Sequence, residues 1–230
     1  SLATNASNCK FLRNVEMHAI VCAWRLVLVH CSKSKKKGSR MIQVLVVYAS
    51  DYGNTQKAAE EVAAGARSVQ NTRVFLKRAE EVTEKDFSSS DGVVIGTPVH
   101  MGSCDWRIKK LIDTVCSELW MKGTMIGKVA GVFVTGSGFG NSGGGAELAM
   151  LSLLTNFAQL GMIIVPLPKS TPGYARGGLQ WGPCARSAGE NMEQNGVSTE
   201  SLEAARCHGA YIARTAHVLA GGRIFGTGCA

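Results

Sequence analysis

The 230-residue chain has no Cys-x-x-Cys pair and no His/Cys grouping at zinc-ligand spacing, so no metal site is expected. Its eight cysteines are scattered at positions 9, 22, 31, 104, 116, 184, 207 and 229. They read as free thiols in a reducing compartment, since a chain of this length builds a core without disulfide staples. That points to a cytoplasmic protein. No Gly-rich turn ends in Gly-Lys-Ser/Thr, which excludes a Walker phosphate loop. No Ser-His-Asp set or carboxylate pair stands at a convincing spacing, so hydrolytic machinery is not expected. No run is long and apolar enough to cross a bilayer; the stretch 19–29 is short and is interrupted by Arg25.

A broad charged surface is also missing. The net charge of +8 comes almost wholly from residues 1–40, which hold eight Lys/Arg and one acid. The other 17 basic and 16 acidic residues nearly balance over 41–230. The folded part therefore offers no basic face for nucleic acid and no acidic face for a basic redox partner. Residues 1–40 form a basic extension with three open readings. They are a targeting presequence to an organelle, a membrane-surface anchor, or a loosely docked arm of unprocessed or non-native sequence. Membrane contact is expected only there.

What is present is a strand pattern with one telling turn. The apolar run 41–47 leads into Tyr48-Ala49-Ser50-Asp51-Tyr52-Gly53-Asn54-Thr55, and a helix pattern follows over 56–67. A strand that ends in a hydroxyl- and Gly-containing turn before a helix suits a phosphate monoester. Unpaired amides point outward there, and the helix dipole favours negative charge. The same residues also suit an ordinary helix-capping turn.

Further strands are expected over 92–96, 128–134 and 162–166, with a less apolar edge strand over 72–76. Helices are expected over 104–119, 143–160 and from Ser198-Thr199 onward. The 143–160 segment is apolar nearly all round and is expected to be deeply buried, in part by another subunit. Alternation of this kind predicts an α/β fold with five parallel strands in the order 2-1-3-4-5 and helices on both faces. Ligands then bind at the carboxyl ends of strands one, three and four. Two more loops should rim that crevice: Thr97-Pro98-Val99-His100-Met101-Gly102-Ser103, and the Gly-rich stretch 135–145. The latter contains a Gly138-x-Gly140-x-x-Gly143 pattern. It lacks the acid that a dinucleotide fingerprint needs about 20 residues on, since 162–168 has no Asp or Glu.

From about Met41 to Gly221, these segments in this order resemble the flavodoxin-like NAD(P)H:quinone oxidoreductases of the tryptophan-repressor-binding-protein (WrbA-like) family. Leu119-Trp120, Gly161-Met162-Ile163-Ile164-Val165-Pro166 and residues 206–213 add to the match. The resemblance implies a flavodoxin-like domain over 41–221, with a tail at 222–230. It implies FMN, NADH or NADPH as hydride donor, a quinone as acceptor, and a homotetramer (or dimer) whose neighbours complete each site. Carried over by position, Ser50, Gly53, Asn54 and Thr55 hold the phosphate, with Tyr52 in the same cofactor-binding turn. Pro98, Val99, His100, Met101 and Gly102 line the isoalloxazine. Thr135, Gly136, Ser137 and Gly138 contact its other edge. His100 either donates to the quinone oxygen or only packs on the cofactor. Trp120 either walls the substrate pocket or packs in the core. The chain departs from the family pattern at His100-Met101, at Gln159-Leu160 and in a longer segment 180–197. An electron-carrying flavodoxin and a flavin-free regulatory or scaffold protein remain alternatives.

Overall fold

The computed structural model describes residues 40–222, 224 and 225. The basic stretch 1–39, residue 223 and residues 226–230 lie outside the described residues, and so do the readings placed on them.

β1 (Ile42–Tyr48) runs between β2 (Thr72–Arg78) and β3 (Gly92–His100), and β3 pairs on its other side with β5 (Val129–Gly136), all parallel. Val46 stands opposite Leu76 on one flank and Val94 on the other. The fifth place in the sheet is shared. β6 (Ile163–Ile164) pairs with the start of β5, and β8 (Gly182–Arg186) with its end. By place, the order is the expected 2-1-3-4-5, with the last strand broken by residues 165–181. β7 (Gly178–Leu179) then folds back antiparallel on β8. A single strand over 162–166 was expected. Only two of those residues pair, and β8 was not foreseen. Gly-Pro-Cys-Ala-Arg carries little strand propensity and becomes a strand because the end of β5 offers it an open edge.

Strand β1 is apolar at nearly every position because both faces of the sheet are covered. Val44 and Val46 pack with Ala58 and Val62 of α1 (Asn54–Arg67). The short α2 (Glu84–Ser89), which the apolar pattern did not reveal, is capped by Thr83 and buries Phe87. On the other face, Leu45 and Val47 share a core with Ile108 of α3 (Trp106–Leu111) and Leu119 of α4 (Ser117–Lys122). A π-helical turn, Ile112–Cys116, joins those two helices. Leu153 and Phe157 of α5 (Ala146–Gln159) belong to the same core. After the single turn α6 (Tyr174–Gly177), the chain ends its fold in α7 (Thr199–Leu219). Ser198 caps α7 by accepting from the Ser201 amide.

Helices α1 and α7 touch backbone to backbone. A Cβ on Gly209 would lie 1.9 Å from the Val62 carbonyl oxygen, and one on Gly65 would lie 1.8 Å from that of Arg206. The two glycines let α1 and α7 approach at both contacts.

One expectation needs correction. The third strand does not stop at Gly96 but continues to His100. It then turns through Met101 (φ 48°) and Gly102 (φ 79°) into β4 (Ser103–Cys104). A two-residue reversal with both φ positive matches strand twist, so the hairpin replaces part of the expected loop. Within the single chain, α5 leaves Leu148 65% and Leu151 38% exposed, the part for which cover by another subunit was expected. Among the described residues, no helix is long and apolar enough to cross a membrane.

Candidate active-site crevice

The carboxyl ends of β1, β3 and β5 open into one crevice. Ser50, Asp51, Tyr52, Asn54 and Thr55 line it from the first turn, Pro98, Val99 and His100 from β3, and Thr135, Gly136 and Ser137 from β5. Gly53 precedes α1 in the left-handed conformation (φ 81°) and gives that helix no side-chain cap. A Cβ at Gly53 would touch nothing within 4 Å, so the space in front of the turn is open. The first-turn amides of α1 face that space and suit an anion. Buried Thr55 and buried Thr135 join their hydroxyls at 2.6 Å, which ties the first and third loops together. Tyr52 stands largely in solvent.

A fourth wall comes from the segment that follows β8, outside the three expected loops. Ser187 and Met192 line the crevice, and the Ser187 hydroxyl lies 2.9 Å from that of Ser137. Arg186 holds this wall to the Gly-rich loop. Its guanidinium donates to the carbonyls of Gly138 (2.7 Å), Gly189 (2.8 Å) and Ser142 (3.2 Å). The Gly140 amide donates to the Glu190 carbonyl at 2.8 Å. The unusual length of 180–197 was a signal that this segment does more than connect.

Below His100 lies a charged network. Asp105 is fully buried and caps α3 by accepting from the Arg107 amide. Its own amide donates to the Thr97 hydroxyl at 2.8 Å. The Arg107 guanidinium donates to both Asp105 oxygens (2.9 and 2.7 Å) and lies 2.8 Å from Asp51. Burial alone raises the Asp105 carboxyl, but hydrogen bonds and charge from Arg107, with His100 adding to them, hold it below the usual range. The Asp105 bond drives Arg107 further up, against desolvation. Asp105 is therefore a carboxylate that can only accept. His100 Nδ1 lies 3.1 Å from it. Its Nε2 lies 3.6 Å from Asp51. Asp51, His100 and Asp105 offer three ligand atoms within 4.8 Å of one another, yet the guanidinium of Arg107 already sits on both carboxylates. The Asp-x-Arg spacing at a helix start was the legible signal for this network.

Four expected site residues are not brought to the crevice. Met101 points into solvent at the hairpin tip. Gly102 packs against Gly145, whose Cβ would lie 2.5 Å from the Gly102 Cα. Gly138 turns in toward Ser142 for the same kind of reason. Trp120 lies in a separate groove with Ile112, Cys116, Asn156 and Gln159 and does not wall the crevice of its own chain. The hairpin after β3 and the turn after β5 carry the first three away from the crevice, and Trp120 sits within α4 on another face, which position in the sequence does not reveal.

Residues 46–176 match the family model described as Flavodoxin. Over 206 aligned residues the chain is 34% identical to an NAD(P)H dehydrogenase (quinone) of Paraburkholderia phymatum, covering 79% of this chain and all of that one. It is 41% identical over 124 residues to a flavodoxin of Aquifex aeolicus, covering 54% of this chain and 64% of that relative, just under two thirds of its length. Among solved structures, a flavodoxin, WrbA-like protein from Agrobacterium tumefaciens superposes with a TM-score of 0.57 at 26% identity, covering 77% of this chain and 98% of that one. The chain belongs to the flavodoxin family and groups there with the NAD(P)H dehydrogenase (quinone) and WrbA-like proteins.

Proposed function

We propose that the chain is an FMN-dependent NAD(P)H:quinone oxidoreductase. The observation that carries this reading is the crevice itself, with open amides at the start of α1 and three strand ends converging on them. The residues present fit the cofactor. Phosphate suits the Gly53 turn, where Ser50, Asn54 and Thr55 add donors and no protein atom crowds the position. Pro98, Val99 and Met192 supply apolar surface for a flat ring, and the segment 135–137 supplies polar edge groups. When bound, FMN supplies two-electron hydride acceptance and delivery.

The chain's own part is binding, orientation and hydrogen bonding. The backbone N–H of Ser137, just past the end of β5, can stabilise negative charge at the ring edge, as oxyanion-hole donors do. His100, with Nδ1 3.1 Å from Asp105 and Nε2 3.6 Å from Asp51, stands where it can hydrogen-bond a quinone oxygen. One crevice serves donor and acceptor in turn, so ping-pong kinetics follow. The exposed Leu148 and Leu151 on α5, and the half-exposed Trp120 beside the neighbouring groove, support a homotetramer or dimer in which a second copy covers them. A cytoplasmic location agrees with the free thiols of Cys104, Cys116, Cys184 and Cys207.

Anaerobic mixing of the purified chain with NADPH tests the activity. Bleaching of flavin absorbance, then recovery on adding benzoquinone over many turnovers, is the expected result. The 41% identity to the Aquifex flavodoxin favours a carrier of single electrons as the second reading. A carrier would leave NADPH unconsumed in the same cuvette.

A further inference from the structure

We propose that the cavity behind the β3–β4 hairpin takes the 2′-phosphoadenosine end of NADPH, so that NADPH is favoured over NADH. This rests on the reading that a nicotinamide dinucleotide delivers hydride in the adjoining crevice. The cavity measures about 630 Å³ and lies between the hairpin, α3, the π-helical turn and Ser152 of α5. His100 lines both this cavity and the crevice, so the two spaces meet at one side chain. That arrangement suits a two-headed ligand with its reacting ring in the crevice and its other end next door.

The lining chemistry selects that other end. Trp106 lies at the cavity with 66% of its surface exposed and offers a flat face for adenine. Two lysines and one acid complete the charge. Lys109 Nζ is held by both oxygens of Asp113, at 2.5 and 2.7 Å. Lys110 makes no ion pair among the described residues. The wall therefore keeps one free cation beside the hydroxyls of Ser103, Thr114 and Ser152. A ribose 2′-hydroxyl is normally recognised by a carboxylate and a 2′-phosphate by a cation. Here the carboxylate is already engaged and the cation is free, so the balance favours the phosphate.

Calorimetric titration of the purified full-length chain with adenosine 2′,5′-bisphosphate, and separately with adenosine 5′-monophosphate, tests the site without turnover. The bisphosphate should bind about tenfold more tightly, the range of one charge-assisted contact at an open site. Lys110→Glu should erase that preference, Lys110→Arg should keep it, and Trp106→Ala should weaken both ligands. In steady state, the ratio of kcat/KM for NADPH to that for NADH should fall about tenfold in Lys110→Glu. Equal binding of the two nucleotides, or a preference that survives Lys110→Glu in a protein with unchanged circular dichroism, overturns the assignment. The two readings fail separately. A chain that prefers the bisphosphate but reduces no quinone keeps the cavity assignment and loses the activity. Quinone turnover without the preference does the reverse.

Discussion

His208 of α7 is wholly buried, with Nε2 3.0 Å from the Val165 carbonyl and no partner for Nδ1 among the described residues. Carbonyl oxygen only accepts, so Nε2 carries the proton and Nδ1 is left bare. Desolvation pushes this imidazole down to about 4 from 6.5, outweighing the hydrogen bond to Val165. Between those two values the unfolded chain takes up a proton that the folded chain refuses. Stability is therefore full above about pH 7, falls as the pH drops through 6.5, and levels off below about 4. At 1.36 kcal/mol per pH unit, the whole loss is about 3 kcal/mol, and about 2 kcal/mol of it falls between pH 7.5 and 5. His208→Gln keeps a donor for Val165 and cannot titrate in this range. Urea unfolding of both proteins in the same flavin state, at pH 7.5 and pH 5, isolates the effect, because carboxylates common to both cancel. The wild type should lose about 2 kcal/mol more than the variant. Equal losses would show that His208 does not titrate as its burial demands.

Three further outcomes check other parts of the structure. Gly53→Asp should abolish flavin retention, since it strains a left-handed residue and sets a carboxylate against the phosphate turn; undiminished FMN content in the purified variant would remove that turn from the site. Gly209→Val should cost about 3 kcal/mol or more in urea unfolding, because its Cβ would meet the Val62 carbonyl at 1.9 Å; wild-type stability would mean that α1 and α7 are not in backbone contact. Trp120→Ala should change quinone kinetics with flavin still bound if a second copy brings Trp120 to the crevice of its neighbour; unchanged KM and kcat for the quinone would exclude Trp120 from any substrate pocket.

Much of the fold was legible because its signals are local. Continuous apolar runs marked β1, β3 and β5, and the Gly53 turn announced the start of α1, since chain direction and backbone chemistry there need no distant partner. The crevice followed from topology, because parallel strands place their carboxyl ends on one rim. Pattern alone did not reveal β8, whose pairing depends on an edge left free when β6 ends after two residues. Nor did it separate Val99, which faces the crevice, from Met101, which a hairpin turns into solvent two residues later.

By itself, then, the amino-acid order determined the layered sheet, the phosphate-suited turn and the set of loops that rim one edge. Only tertiary structure decided that Arg107 bridges Asp51 and Asp105 beneath His100, and that Arg186 fastens a fourth wall to the Gly-rich loop. The reason is physical. Secondary structure depends on residues a turn or a strand apart, whereas a site depends on side chains that meet only once the sheet has twisted and its faces are covered.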